Sequence, residues 1–325
     1  MVSRRDMLLT LAATGAAALQ RRAVAAVSPH GQSSITPVDF PVPAGACDCH
    51  VHVFGDPRRF PLSPDRAYTP PPAPVSELRR QLRRLHMDRV VIVSPSVYGT
   101  DNECALDAIR QLGGRARGIA NIARESSDAE LDRLRRGGIR GLRLNFETQG
   151  VFDPKVAIER FRLASTRAAG LGWHLQINTR LSIVEALENE IAGGPAIVVF
   201  DHFAQAEAAR GVDQPGFAAL VRLLTSGRAY VKVSAPYRIS MRSPDYADVV
   251  PLAQALIAAN HERVLWGSDW PHPDAARRPG RTATDVAPPL SVDDARVLAQ
   301  LTIWAPDAAT RRSILVENPA RLYGF

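Results

Sequence analysis

The feature that most constrains this chain is a repeat of two segment types. Short β-branched runs at 46–54, 89–96, 117–122, 139–146, 173–178, 196–202, 229–234 and 263–268 alternate with helix-patterned stretches. The helical patterns fall at 74–85, 102–112, 128–136, 155–169, 182–192, 215–225, 246–259 and 291–301. Ser127-Asp128 opens one of them and Gly137-Gly138 closes it, as cap and stop residues do. Strands alternating with helices pair in parallel through right-handed crossovers. Eight such units favour a closed (β/α)8 TIM barrel over an open sheet, and 280 residues suffice for one. The predicted barrel spans 46–325, with an extra C-terminal helix at 308–315 stopped by Asn318-Pro319-Ala320. Segment 55–74, with seven prolines, follows strand one on the active-site side and is a candidate lid.

In a barrel of this kind the chemistry sits at the C-terminal ends of the strands. Strand one carries Asp48-Cys-His50-Val-His52. A period of two puts Asp48, His50 and His52 on one face and Cys47, Cys49, Val51 and Val53 on the other. Two histidines so spaced hold a metal, polarise a carbonyl, or merely hydrogen-bond in a polar turn. The remaining strand ends supply Ser94, Ser96 and Tyr98, then Arg143 and Asn145, Gln176 and Asn178, and Asp201 and His202. Lys232, Ser234, Tyr237 and Arg238 follow, and Trp266-Gly-Ser-Asp269-Trp-Pro-His272 ends strand eight. Any one of these has a dull explanation. Seven strands delivering polar groups to one rim do not.

The N-terminus reads as a targeting segment. Residues 1–25 combine Ser3-Arg4-Arg5-Asp6-Met7-Leu8-Leu9, an apolar stretch to Leu19 and Ala23-Val24-Ala25, the pattern of a cleaved twin-arginine export signal. The expected location is the bacterial periplasm, with no membrane attachment after cleavage. Residues 26–45, rich in Pro, Ser and Ala, read as a surface leader. Of the formal charge of +7, four arginines and one aspartate lie in the first 25 residues, leaving 36 basic against 32 acidic groups. That balance, with no basic run interleaved with aromatics, argues against nucleic acid. Three cysteines make no disulfide framework.

Several collinear motifs carry a resemblance over residues 44–325. They are Asp48-Cys-His50-Val-His52-Val-Phe, Phe60-Pro-Leu-Ser-Pro-Asp-Arg-Ala-Tyr68-Thr-Pro, Pro95-Ser96-Val-Tyr-Gly-Thr-Asp-Asn102, Gly141-Leu-Arg143-Leu-Asn-Phe146 and Lys232-Val-Ser-Ala-Pro-Tyr-Arg238, with the tryptophan-bounded motif around Asp269. The chain resembles the amidohydrolase superfamily, amidohydrolase-2 branch, and within it 2-pyrone-4,6-dicarboxylate lactonases and their relatives. The resemblance implies a hydrolase that opens a small anionic lactone. Asp269 would be the general base, and His50, His52 and His202 would polarise the carbonyl. Arg143 and Arg238 would hold a carboxylate, with neutral hydrogen bonds from Tyr68, Ser96 and Asn178.

Two departures stand out. Arg143 and the Gln176/Asn178 end of strand five occupy places where metal-dependent members keep a Lys or His, so no cofactor is expected to be required. The alternative is one Zn2+ on His50, His52, His202 and Asp269, supporting hydrolysis or decarboxylation. Where the lactonases are expected to have further arginines, this chain has Gln149 and Gln205, and an amide cannot replace a guanidinium fork. Arg66 or Arg180 could supply the missing charge. Lactone isomerisation and a catalytically dead binding barrel are the other readings, and the intact His50, His52, His202 and Asp269 argue against the last. The oligomeric state stays open.

Overall fold

A computed structural model describes residues 36–275 and 279–325. The export-signal expectation for 1–25 and the first half of the leader expected at 26–45 lie outside the described residues. Eight parallel strands follow one another in chain order: β1 Cys47–Val51, β2 Arg89–Val93, β3 Ala116–Ala120, β4 Ile139–Asn145, β5 His174–Asn178, β6 Val198–Phe200, β7 Ala229–Ser234 and β8 Val264–Gly267. The sheet closes because β8 returns beside β1. Asp269 N–H donates to His50 O at 2.8 Å, and His52 N–H donates to Trp270 O at 2.8 Å. Gly267 is required at this junction, since a Cβ there would lie 2.7 Å from His50 Cβ and 2.8 Å from His50 N. The fold is therefore the expected (β/α)8 barrel.

Helices α1 Val75–Arg84, α2 Glu103–Leu112, α3 Asp128–Arg136, α4 Pro154–Gly170, α5 Leu181–Gly193, α6 Phe217–Thr225, α7 Val250–Asn260 and α8 Asp294–Ala299 clothe the strands. Their starts follow local chemistry: Ser127 Oγ accepts from Glu130 N, and Asp153 caps α4, whose first turn holds Pro154. Three predicted starts are early by two residues or more. α6 begins at Phe217, α7 at Val250 after a 3-10 turn, and α8 at Asp294, capped by Asp293. The expected stop at Asn318-Pro319-Ala320 is corrected. Helical winding continues from Ala308–Arg312 through a π turn, Ser313–Glu317, into Asn318–Tyr323. Pro319 sits in the first turn of that last segment, where no N–H is needed. Asn318 instead anchors it, donating to His261 O and Val264 O at 2.8 Å each. No helix among the described residues is long and apolar enough to cross a membrane.

The predicted alternation in β1 also needs correction. Against β2, Asp48 to Val51 spans three steps where Val90 to Ile92 spans two, which is a one-residue bulge. Cys47 and Cys49 pack with Val91, Val93, Ile119, Val199, Tyr230 and Leu265, a cluster drawn from six strands that can meet only inside the barrel. One bulge later, His50 and His52 still reach the rim. Asp48 does not join them; its Oδ1 accepts Ser268 N at 2.9 Å and His50 N at 3.2 Å, bridging the β1–β8 junction. At the opposite end Tyr323 closes the barrel floor, its ring edge-on to His174 at 5.3 Å.

Candidate active site

His202 reaches the site through an unusual turn. His202, Phe203, Ala204 and Gln205 all have φ between 49° and 55°, a left-handed turn of four residues that are not glycine. Each such residue costs on the order of 1–2 kcal/mol. The turn is held by Phe203, wholly buried and edge-on to Trp304 at 5.8 Å, and by Ala204 N–H on Asp201 O at 2.9 Å. Asp269 (φ 65°) and His272 (φ 60°) are left-handed as well. Strain of this kind gathers at functional sites, where the surrounding structure over-determines it.

Three imidazoles converge on one carboxylate oxygen. From Asp269 Oδ1, His52 Nε2 lies at 3.5 Å, His50 Nε2 at 3.6 Å and His202 Nε2 at 3.8 Å. Oδ1 and His50 Nε2 are buried with no hydrogen-bond partner. The other oxygen, Oδ2, is fully engaged, accepting Tyr237 O–H at 2.6 Å and Arg238 Nε–H at 2.7 Å. Burial opposes the charge on Asp269, but Arg238 and the histidines outweigh it and hold the carboxyl well below its ordinary range. The same burial lowers His50 and takes His202 down to about 4, so both rings are neutral at pH 7.

Hydrogen-bond partners separate the roles of the rings. His52 Nδ1 lies 2.7 Å from Val93 O, an acceptor, so Nδ1 carries the proton and Nε2 of the neutral ring is a lone pair. His202 Nδ1 meets Ser234 Oγ at 2.8 Å, which can donate to it and leave the proton on Nε2. His50 Nδ1 stands between Lys232 Nζ at 3.3 Å and Asp201 Oδ1 at 3.2 Å, a donor and an acceptor. Lysine on Nδ1 makes His50 Nε2 a donor; aspartate on Nδ1 makes it a ligand.

Below the rim, a buried charged layer replaces the aliphatic filling usual in such barrels. Lys232 Nζ lies 3.2 Å from Asp201 Oδ1 and donates to Gln176 Oε1 at 2.7 Å, and Gln176 Nε2 donates to Asp201 Oδ2 at 3.1 Å. Burial alone would raise Asp201; Lys232 and His50 reverse this and hold it well below the ordinary value. Arg143 Nη2 joins at 3.7 Å from Asp201 Oδ2, with Nη1 on Ser94 O at 3.1 Å.

A cavity of about 40 Å³ lies above these groups, lined in part by His52, Tyr68, Ser96, Arg143, Asn178, His202, Arg238 and Asp269. The expected site residues therefore meet, with two qualifications. Gln149 stands apart, exposed and accepting from Arg160 Nη1 at 3.1 Å. Gln205 is one step back, donating to Asn178 Oδ1 at 3.0 Å, while Asn178 Nδ2 donates to Asn145 Oδ1 at 3.0 Å. Neither candidate replacement arginine reaches in. Arg66 is held by Thr69 Oγ1 and Ser63 O, and Arg180 by Glu147 and the Phe152 ring.

Of segment 55–74, the expected lid, Tyr68 lines the cavity. The segment's ends are clamped by Phe54 pairing with Ala73, and Thr69 pairs with the loop after β8, accepting Ala287 N–H at 2.7 Å. Sequence reasoning gave no role to Asp201, Lys232 or Gln176, although a lysine between Val231 and Val233 was a usable signal. Asp294 and Gln81, which bond to each other, carry no local signal.

The donor set fits a divalent metal. Of the expected set, His50, His202 and Asp269 bring two imidazole nitrogens and a carboxylate oxygen close enough to share an ion. Two of these atoms are buried and unpaired, and they are ligand types zinc prefers; His52 lies outside this group. His50, His202 and Asp269 would hold the metal, which would supply Lewis acidity and a more acidic bound water.

Comparison with known proteins places the chain in a family. The amidohydrolase family model matches residues 47–325, and the chain belongs to that family. Within it, the chain is 36% identical over 294 residues to a 2-pyrone-4,6-dicarboxylate hydrolase of Comamonas testosteroni, covering 87% of this chain and 92% of that one. It is 37% identical over 294 residues to a 4-sulfomuconolactone hydrolase of Rhizobium radiobacter, covering 89% and 93%. An apo crystal structure from Agrobacterium tumefaciens superimposes with a TM-score of 0.75 at 26% identity, covering 89% of this chain and 99% of that one.

Proposed function

We propose that this protein is a lactonase, hydrolysing the ring ester of a small anionic lactone. The observation that carries the reading is the opposed hydrogen-bond polarity around Asp269 Oδ1. Asp269 Oδ1 and His52 Nε2 are acceptors 3.5 Å apart, and a water beside them can donate to either. His202 Nε2–H when Ser234 donates to its Nδ1, and His50 Nε2–H when Lys232 occupies its Nδ1, are donors for the carbonyl oxygen as it becomes an oxyanion. Asp269 takes the water's proton as the C–O bond forms, then returns it to the leaving ring oxygen as the ester C–O bond breaks. His52 thus serves the water rather than the oxyanion.

For recognition, the terminal nitrogens of Arg238 and the Arg143 guanidinium offer charge to one anionic group. In the amide series Gln205–Asn178–Asn145 the oxygens of Asn178 and Asn145 are used internally, Asn145 Oδ1 also accepting Thr148 N at 3.1 Å. What remains are amide N–H donors and Gln205 Oε1, suited to a neutral polar group such as a hydroxyl. The preferred substrate carries one carboxylate or sulfonate and a neutral polar end. Charge-assisted bonds contribute roughly 1.5–3 kcal/mol each, so a second carboxylate is disfavoured by about tenfold or more in kcat/KM. Comparing 2-pyrone-4,6-dicarboxylate with a lactone that carries a single carboxylate, with product analysis to separate hydrolysis from isomerisation, tests this. Turnover of neither, or isomerised product alone, would sink the reading.

The zinc-assisted reading rests on the unpaired His50 Nε2 and Asp269 Oδ1. Elemental analysis and the effect of a chelator on turnover choose between the two. Export is a separate proposal, supported by the paired arginines near the N-terminus. Lysine substitution of Arg4 and Arg5 together should leave the precursor in the cytoplasm, and processed periplasmic protein from that variant would refute it.

A further inference from the structure

The motif that ends strand eight contains a histidine for which the lactonase mechanism has no use. His272 lies three residues beyond Asp269, buried, with a partner on each ring nitrogen. Nδ1 lies 3.1 Å from Tyr237 Oη, and Nε2 lies 3.0 Å from Asp294 Oδ2. Asp294 is held in turn by Gln81 Nε2 at 2.5 Å. The chain of contacts runs from helix α1 through the start of α8 and the β8 loop to Tyr237, and ends on Asp269 Oδ2.

The direction of these bonds is fixed by one proton. Tyr237 has a single O–H, and at 2.6 Å from a carboxylate oxygen it must donate to Asp269. Its oxygen can then only accept from His272, so His272 Nδ1 carries a hydrogen pointed at it. The rings of Tyr237 and His272 stand edge to face, 5.4 Å apart and 89° to each other, which leaves the phenol little rotation. Arg238 occupies the remaining direction on Oδ2.

We infer that Tyr237, His272 and Asp294 are positioning residues that clamp Asp269 Oδ2, so that Oδ1 alone faces the histidines and the attacking water. This rests on the lactonase reading above. A carboxylate tethered by Arg238 only could swing about that bond. A displacement of about 1 Å at a reacting atom is enough to cost about a hundredfold in rate.

The test compares Tyr237→Phe, His272→Gly and His272→Asn on 2-pyrone-4,6-dicarboxylate and 4-sulfomuconolactone, with a crystal structure of His272→Gly. Glycine and asparagine both suit the left-handed backbone at φ 60°, but only the asparagine amide restores a donor where Nδ1 stood. Tyr237→Phe and His272→Gly should lose about tenfold to a hundredfold in kcat, with KM changed by no more than about threefold. His272→Asn should regain most of that loss, and the His272→Gly crystal should show Asp269 turned. Equal kcat in the Gly and Asn variants, a loss confined to KM, or wild-type kcat in Tyr237→Phe would overturn the inference. If the wild type turns over neither lactone, the lactonase reading fails on its own. The carboxylate in the His272→Gly crystal then decides the positioning role: turned supports it, unmoved refutes it.

Discussion

Asp269 has two oxygens in different situations, and its chemistry follows from the difference. Oδ2 is saturated by Tyr237 and Arg238, while Oδ1 faces three imidazole nitrogens. Asp269→Asn keeps the size and loses the basic oxygen. It should fold normally, judged by circular dichroism, and lose about 10²–10⁴-fold in kcat. Lys232→Met should behave oppositely, because it strips the buried Asp201 charge of its nearest cation and leaves only Gln176 and the more distant Arg143 beside it. A cost of about 3–5 kcal/mol is expected in denaturant melts. At this scale the rim was largely legible: His50, His52, His202 and Asp269 stand at strand ends in recognisable motifs. Gln149 was misplaced because nothing local says that Arg160 will draw it outward. Asp294 and Gln81 were invisible because their partners lie 22 and 213 positions away.

Strands and helices were legible because their periods differ, and the eightfold alternation of β-branched runs with helical runs specified the barrel. The bulge in β1 was not. Polar residues at 48, 50 and 52 read as perfect alternation, and only the backbone N–H of Ser268, across the junction, gives Asp48 a place of its own. The left-handed turn after β6 was equally hidden, since no glycine marks it. Its anchor is testable. Phe203→Ala should cost about 3–5 kcal/mol as a core truncation, and free His202 to leave the rim, so kcat should fall even where the variant remains folded. At the junction of β1 and β8, Gly267→Ala brings a methyl against His50 backbone and must push the strands apart. Activity at 25 °C and melting temperature should both drop in that variant; unchanged values for both would show that the junction is looser than described.

For the molecule as a whole, buried imidazoles set the response to acid. His50 is lowered, His202 sits at about 4 and His174 at about 3, each chiefly through burial. Unfolded, each would titrate near 6.5, so below that pH the unfolded chain binds the extra protons and stability falls as pH drops towards 4. Asp48, raised to about 7 by burial, acts in the other direction over the same window, being protonated in the fold and ionised when unfolded. Burial would lower His272, but Asp294 raises it, so it opposes the loss of stability only at and above its unfolded value near 6.5. Below that, three histidines against one carboxyl leave about two protons favouring the unfolded state, a slope of roughly 2–3 kcal/mol per pH unit at its steepest. Melting temperature should decline clearly from pH 7 to pH 5; a flat profile would mean that these rings are not neutral in the fold. The barrel junction carries one more consequence. Asp48 and Ser268, 220 positions apart, are joined there, and His50 and Asp269 are backbone partners in the same closure. Turnover therefore reports that the last strand has docked on the first. A growing polypeptide on the ribosome, or a fragment lacking either end of the barrel, is catalytically silent, and mixing complementary fragments would restore activity only by sealing the ring.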